Sequence, residues 1–195
     1  MRRLLRVVAA LVAVALAAGV GYTAYRYRLV AVATPSMVPV IAPGDRFLAD
    51  SQDRTARVGD VVVVDAPDWT PDGGTTLVVK RVVATAGQRV VCCDADARIT
   101  VDGVSLDGKA GAPRVRSADG TTVEGGAPFD VTVPAGRVFL VGDNRGVSVD
   151  SRSRTDDGSG GTLPVSAVVG TVGFRLWPLG GFGPMDTTLR DTGRP

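Results

Sequence analysis

A long uncharged segment near the N-terminus constrains this chain more than any other feature. The 19 residues from Val7 to Tyr25 carry no charge, close to the roughly 20 residues that a helix needs to cross a bilayer. Three arginines precede the segment and two follow it closely, and this slight excess favours a cytoplasmic N-terminus. The sequence therefore predicts a transmembrane anchor over residues 7–25, with residues 1–6 in the cytoplasm.

A cleaved signal peptide is the alternative interpretation of this segment. Ala31-Val32-Ala33 has the small-residue pattern of a cleavage site. However, residues 22–28 are bulky and charged for a cleavage region, and a cut after Ala33 would leave Ser36 almost at the new terminus. The sequence favours a retained anchor and leaves the cleaved segment as the alternative.

The rest of the chain has the pattern of a mainly β domain. Hydrophobic residues make up 45% of the sequence, and its 25 glycines and 12 prolines separate short apolar runs that read as strands. The net charge of +2 gives no nucleic-acid signature, so we expect no nucleic-acid partner. We expect one main domain, the candidate catalytic domain, over residues 29–178, with residues 91–134 as a smaller inserted β region, and a loose tail over residues 179–195.

Several segments have a specific expected structure. Val61–Val64 and Leu77–Val83 are apolar on both faces and predict buried strands. Residues 98–104 contain an Asp-Gly pair between two apolar runs, which predicts a hairpin. Residues 107–128 are rich in small polar residues and predict a surface excursion. The adjacent Cys92 and Cys93 offer too few ligands for a metal, and leave open a vicinal or an intermolecular disulfide.

The chain has no histidine, which restricts the nucleophilic chemistry open to it. A Ser-His-Asp triad is impossible, so a serine nucleophile needs another base, such as a desolvated lysine. Only two lysines are present, and Lys80 lies within an apolar run, whereas arginine keeps its proton in proteins. Ser36 follows Pro35 in a stretch with a second proline, so it lies outside any helix. Ser36 and Lys80 are the candidate nucleophile and base.

Each candidate also has a simpler structural interpretation. A serine beside a proline is usually a turn residue. Lys80 could point to solvent from an edge strand, because lysine is rarely buried without a partner. Residues 142–152 could form a solvated loop with a surface ion pair, although such short polar side chains also build hydrogen-bond networks. Residue type and periodicity alone leave these interpretations open.

Four short motifs follow one another along the chain. They are Ser36-Met37-Val38-Pro39, Gly59-Asp60 with Val61–Val64, Lys80-Arg81-Val82-Val83, and Gly142-Asp143-Asn144-Arg145 continuing through Ser148 and Asp150-Ser151-Arg152. Taken together and in this order, these motifs resemble those of bacterial signal peptidase I, the membrane-bound Ser/Lys endopeptidases that remove signal peptides. The resemblance covers residues 29–178 and the plan of a single N-terminal anchor, as in the Gram-positive type. The departures are Val40 and Gly146-Val147, which carry no chemistry in that family.

The resemblance implies a role for each matched residue. Ser36 would be the nucleophile and Lys80 the general base. Ser148 would orient the Lys80 amine, and the Thr34 hydroxyl would form the oxyanion hole with the Ser36 N–H. Asp143, Asn144, Arg145, Asp150 and Arg152 would support the site structurally, and Val32, Met37 and Val79 would line small pockets that accept alanine.

The resemblance also implies the setting of the reaction. The substrates would be preproteins that carry a signal peptide, cut after Ala-x-Ala-type sites. No cofactor and no metal would take part. The protein would be a single-pass membrane protein in contact with the lipid bilayer, and its catalytic domain would lie outside the cytoplasm.

Two other classes of protein remain as alternatives. Self-cleaving SOS repressors and plasmid-transfer peptidases share a Ser/Lys core, but the repressors carry a helix-turn-helix domain where this chain has an apolar helix. A membrane-anchored β domain used only for binding would be favoured if Ser36, Lys80 or Ser148 were replaced. All three are present.

Overall fold

The structure is a computed structural model, and it confirms the mainly β class. One long α-helix, α1 (Arg2–Arg26), precedes the strands in the described part of the chain. The structure describes residues 1–69, 76–94, 98–106, 115–116, 122–123 and 128–185. The strands are β1 (Tyr27–Ala31), β2 (Arg46–Asp50), β3 (Val61–Asp65), β4 (Leu77–Thr85), β5 (Arg89–Cys92), β6 (Ile99–Val101), β7 (Val104–Ser105), β8 (Val115–Arg116), β9 (Thr122–Val123), β10 (Phe129–Thr132), β11 (Arg137–Val141), β12 (Leu163–Pro164), β13 (Val168–Trp177) and β14 (Gly183–Pro184).

Helix α1 is long and apolar enough to cross a membrane. Its 25 residues span about 37 Å at 1.5 Å per residue, and none of them is buried against the protein. The helix extends beyond the predicted residues 7–25 at both ends and passes directly into β1. At this junction the Arg26 guanidinium donates to the Asp50 carboxylate of β2 at 2.7 and 3.0 Å. The last residue of the helix is therefore tied to the main sheet.

The main sheet has eight antiparallel strands in the order β1-β2-β13-β3-β4-β11-β12, with β14 paired to β13. Strand β3 lies in its interior and explains the predicted run of four valines. Val61 and Val63 pack in one core cluster with Phe47, whereas Val62 and Val64 pack in another with Leu140. Because successive side chains point to opposite faces, a strand covered on both faces is apolar throughout. The buried strand expected at residues 61–64 is confirmed. The strand expected at residues 77–83 is present, but it is buried only from Lys80 onward, because Leu77 is exposed and Val78 and Val79 are half-buried.

A second sheet, in the order β10-β5-β6-β7, is built from strands between residues 89 and 132. The predicted hairpin forms between β6 and β7, with positive φ at both Asp102 and Gly103, as the tight turn requires. Cys92, at the buried end of β5, forms a disulfide with Cys93, so the structure contains the vicinal alternative. Most of the excursion expected at residues 107–128 lies outside the described residues.

The C-terminal segment differs from the loose tail expected from residue 179 onward. Strand β14 pairs with β13, and the Met185 N–H donates to the Gly173 carbonyl at 2.9 Å. The rings of Phe174 and Phe182 meet edge to face with centroids 5.1 Å apart. These contacts order the segment through residue 185, and residues 186–195 lie outside the described part.

Candidate functional site

Ser36 lies in a short 3-10 turn, Pro35–Met37, that packs against β4. Pro35 occupies the first position of the turn, where its missing N–H leaves no bond unmade. The Ser36 side chain is almost covered, and its Oγ is 3.3 Å from the Thr34 Oγ1. The turn therefore places a serine and a threonine hydroxyl together beside β4.

Lys80 is buried, with 3% of its surface exposed, so the solvent-facing interpretation is wrong. It lies on β4 opposite Val62 of β3, with Val78 and Val82 as its neighbours on the same face of the strand. Burial lowers the pKa of Lys80 from 10.5 to about 8, because the charged form loses its hydration. The Asp150 carboxylate opposes this effect without cancelling it. With this pKa about a tenth of the amine is neutral at pH 7 and about half at pH 8, where it is available as a base.

The next residue, Arg81, is also buried, but its charge is fully paired. Its Nε and one terminal nitrogen donate to the two carboxylate oxygens of Asp143, each at 2.7 Å. Its other terminal nitrogen donates to the Gly59 carbonyl at 2.7 Å. The bidentate pair joins β4 to the segment that follows β11, so three of the four sequence motifs meet at one side chain.

A second buried ion pair braces the loop after β11. The Arg152 guanidinium donates to both oxygens of Asp150 at 2.8 Å, and the Gly142 N–H donates to Asp150 Oδ2 at 3.0 Å. Although burial favours the neutral acid, the Arg152 hydrogen bond and charge keep the pKa of Asp150 below its usual value. Arg152 also donates to the carbonyl of Arg145, itself a buried residue. The pairing expected between Asp150 and Arg152 is present.

Asn144 links this loop directly to the serine turn. Its backbone N–H donates to the Ser36 carbonyl at 3.0 Å, and its side-chain Nδ2 donates to the Pro35 carbonyl at 3.1 Å. Two hydrogen bonds thus connect segments that are 109 residues apart in sequence. They hold the backbone on either side of Ser36 in one orientation.

Gly142 allows the loop and the serine turn to approach each other. A Cβ at this position would lie 2.2 Å from Ser148 Oγ and 2.5 Å from the Ser36 carbonyl oxygen. Both distances are far below van der Waals contact, so any larger residue would displace one of the two segments. Close packing between the loop and the serine turn therefore explains why the fourth motif begins with glycine.

The Ser148 hydroxyl is buried between these segments and lies close enough to the Asp150 carboxylate to help lower its pKa, although its alignment falls outside strict hydrogen-bonding geometry. The expected hydrogen bond from Ser148 to the Lys80 amine is thus not formed. Within the described residues, Ser36 Oγ also contacts Thr34 rather than Lys80. Catalytic hydrogen bonds often tighten only when substrate is bound, so the geometry before binding leaves room for both contacts.

A groove of about 260 Å³ opens beside Ser36. Val32 and Val79, two of the predicted pocket residues, line it together with Thr34. The third, Met37, does not: its side chain is wholly buried in the core beside Ile41. The remaining lining residues are Leu29, Val30, Ala31, Ala33, Val63, Leu77 and Val78.

Some features of this site were not predicted from the sequence. Leu77 lies two residues before Val79, so strand alternation would have placed both on one face of β4. Val63 gave no such signal, because it reaches the groove only through the pairing of β3 with Val79 of β4. The tether from Asn144 and the close approach at Gly142 likewise depend on contacts between distant segments.

Lys80→Met is expected to stabilise the fold while removing the candidate base. The folded-state pKa of Lys80 lies below its unfolded value, so the buried charge costs about 3 kcal/mol below pH 8. This cost declines between pH 8 and 10.5, where the folded protein has lost the proton and the unfolded chain still holds it. Denaturant unfolding of the variant and the wild type in detergent, at pH 6 and at pH 10, measures the difference between their free energies of unfolding. A variant less stable than wild type at pH 6 would contradict the desolvation of this amine.

Comparison with known proteins gives consistent matches. The profile of the family described as "Signal peptidase, peptidase S26" matches residues 3–177. Signal peptidase I of Mycobacterium tuberculosis (strain ATCC 25618 / H37Rv) is 39% identical over 124 residues, 60% of this chain and 42% of that protein. The probable thylakoidal processing peptidase 2 of Arabidopsis thaliana is 31% identical over 73% of this chain and 36% of that protein.

A crystal structure of a signal peptidase I from Enterococcus faecalis V583 is 26% identical, with a TM-score of 0.42, and covers 59% of this chain and 94% of that one. The matched part of this chain spans less than half the length of the two curated relatives. The family profile, in contrast, extends over most of the chain, from α1 to the end of β13. This chain therefore belongs to the signal peptidase family, peptidase S26.

Proposed function

We propose that this chain is a signal peptidase I, a serine endopeptidase that removes N-terminal signal peptides from exported preproteins after Ala-x-Ala-type sites. The observation that carries the proposal is Lys80, buried among valines with its pKa lowered to about 8, on the strand against which the Ser36 turn packs. A chain without histidine has few other ways to activate a serine at neutral pH.

In the proposed reaction, Ser36 Oγ attacks the scissile carbonyl carbon while the neutral Lys80 amine accepts its proton. The tetrahedral intermediate carries its negative charge on the former carbonyl oxygen, and the Ser36 N–H and the Thr34 hydroxyl donate to it. The C–N bond then breaks, and the Lys80 ammonium gives its proton to the leaving amine. Lys80 next accepts a proton from water, whose oxygen attacks the ester carbonyl carbon. As the ester C–O bond breaks, the Lys80 ammonium returns a proton to Ser36 Oγ, so that the carboxyl product leaves and both residues are regenerated.

The loop after β11 supports this chemistry. Asn144 holds the backbone of Ser36, and the buried pairs made by Asp143 and Asp150 hold the loop against β4. We assign Ser148 the task of orienting the Lys80 amine, because its buried hydroxyl lies beside the Asp150 carboxylate, whose charge also acts on Lys80, and makes no strong hydrogen bond of its own. Arg145 and Arg152 belong to the same scaffold through the bond between them.

The groove suits an extended peptide with small side chains. Strand β1 is at the end of the main sheet and pairs only with β2 among the described strands. Residues 77–79 of β4 pair with β3 on one side. On their other side β11 pairs with β4 only from Arg81 onward, so residues 77–79 have no described strand partner at that edge. Unpaired strand edges bind extended peptides through their backbone groups, with specificity set by pockets for alternate side chains. Val32 and Val79 would wall the pockets for alanine, and Met37 would support them from the core.

We also propose that α1 holds the protein in the cytoplasmic membrane with residues 29–178 outside the cytoplasm. The family is membrane-bound, and α1 is long enough to span the bilayer. A preprotein during export presents its cleavage site at the outer surface of the same membrane. Anchoring both partners there raises the effective concentration of the cleavage site near Ser36.

The first test compares preprotein cleavage by the wild type, Ser36→Ala, Lys80→Ala and Lys80→Arg. All three variants should be inactive, because arginine stays protonated and cannot replace a neutral amine. The kcat/KM of the wild type should rise with pH through a limb near pH 8, as Lys80 loses its proton. Substantial activity of Lys80→Arg would refute the lysine base. A folded wild type that binds preprotein without cutting it would favour a binding domain.

The second test concerns the oxyanion hole. Thr34→Val keeps the shape of the side chain and removes its hydroxyl, and loss of one such donor typically lowers turnover by ~10²–10³. Thr34→Ser is the matched control, since it keeps the hydroxyl and should retain most of the activity. Near-wild-type turnover by Thr34→Val would place the stabilising donor elsewhere.

The third test concerns orientation. Protease added to intact protoplasts should digest the domain that follows α1, because the proposal places it on the outer face. A cytoplasmic protein should stay protected in the same sample and serves as the control for lysis. Digestion only after lysis would reverse the proposed topology.

A further inference from the structure

A second groove, of about 540 Å³, lies between the anchor helix and the catalytic domain. One wall is the face of α1 that carries Ala15, Leu16, Gly19, Val20, Thr23 and Ala24, and the other is formed by Tyr27, Leu29 and Leu48. We call it the anchor groove. The Thr23 hydroxyl is already bound to the Gly19 carbonyl within the helix, at 2.9 Å. The anchor groove therefore offers an apolar surface with little to recognise a polar ligand.

The anchor groove adjoins the groove beside Ser36 at one residue. Leu29 of β1 lines both of them. Leu29 and Ser36 are seven positions apart in sequence, a distance of at most about 23 Å at 3.3 Å per residue. Ser36 lines only the groove beside it, so the two grooves meet at Leu29 and not at the nucleophile.

We propose that the apolar helical segment of a bound signal peptide packs into the anchor groove alongside α1. This inference rests on the proposed function. The substrate residues just before the cleavage site, with alanine at the first and third positions, would occupy the groove beside Ser36, between Val32 and Val79. The chain that precedes them leaves that groove near Leu29, and in a signal peptide this preceding chain is a run of 7–15 apolar residues.

The path of the enzyme's own chain supports the geometry. From the N-terminus it runs as an apolar helix, then as the extended strand β1, and then reaches Ser36. A signal peptide has the same order of parts: a basic start, an apolar segment, an extended cleavage region and the scissile bond. With both N-termini on the cytoplasmic side, the two helices would lie parallel. Small residues at every fourth position, Ala15, Gly19 and Thr23, would allow them to approach closely.

A signal peptide is favoured over the other apolar occupants, a lipid chain or α1 of a second copy. The cleavage region already held at Ser36 is covalently joined to the apolar segment, which gives that segment a high effective concentration at Leu29. Neither a lipid nor a second copy has this advantage. Both remain as distinguishable outcomes of the experiments below.

Gly19→Leu and Gly21→Leu form a matched pair for the first experiment. A Cβ at either glycine meets nothing within 4 Å, so both variants should fold and insert alike. Gly19 lines the anchor groove, whereas Gly21 does not. The full-length protein, in detergent and phosphatidylglycerol/phosphatidylethanolamine vesicles, is given two substrates: a preprotein with a leucine-rich signal segment, and a short peptide with only the Ala-x-Ala region.

The measured quantity is the ratio of kcat/KM for the preprotein to that for the peptide. Gly19→Leu should lower this ratio about tenfold because leucine fills the anchor groove, and Gly21→Leu should leave it unchanged. Equal ratios in both variants, or an equal fall in both, would overturn the proposed docking. If the wild type cuts neither substrate, the proposed function itself fails, which is a different result.

The occupant is identified by photocrosslinking. Benzoylphenylalanine is placed at Val20, inside the anchor groove, or at Gly21, outside it, in a Ser36→Ala background that holds the preprotein uncut. Crosslinks from position 20 to the signal segment, with few from position 21, would support the proposal. Crosslinks only to lipid or to a second copy of this chain would overturn it.

Discussion

The burial of Lys80 in the middle of β4 is the constraint on which the rest of the site depends. Transfer of a charged amine away from water is costly, and the group responds by losing its proton more readily. The next residue along the strand shows the other outcome. Arg81 cannot lose its proton, so it is buried only with a bidentate partner, Asp143. Two adjacent cationic residues in one strand are thus tolerated in two different ways.

The loop after β11 converts this local arrangement into a site. Asp143 fixes the loop to β4 and Asn144 fixes the serine turn to the loop, so Ser36 and Lys80 are held on one framework. Gly142 permits the close approach that this framework needs. The same framework carries a cost in stability, since the proposed base is kept from solvent at a pH where its unfolded form is charged. A protein under selection for stability alone would place an apolar side chain at position 80.

The two grooves extend the same logic to the substrate. The groove beside Ser36 is small and lies along β1, which pairs only with β2 among the described strands, whereas the anchor groove is larger and apolar. Because α1 passes directly into β1, the proposed membrane anchor and the proposed substrate-binding edge form one continuous segment. In the function we propose, this continuity would align an exported preprotein with the nucleophile. The anchor would then take part in substrate recognition as well as in localisation.

The sequence by itself determined those elements whose signals are local. The uncharged run predicted α1, the four valines at residues 61–64 predicted a strand covered on both faces, and Asp102-Gly103 predicted the hairpin turn. Residue chemistry also singled out Ser36 and Lys80, because a chain without histidine leaves few other groups for a nucleophile and its base.

Only the tertiary structure decided the features that depend on contacts between distant segments. Alternation along a strand separates its two faces but does not say which face is covered. The burial of Lys80 is therefore decided only by the pairing of β4 with β3 and the packing around them. The link from Arg81 to Asp143 spans 62 residues, and the link from Asn144 to Pro35 spans 109. The same is true of Met37, which packs in the core instead of lining the groove. Periodicity and propensity describe neighbours along the chain, whereas these positions are set by how the sheet brings remote strands together.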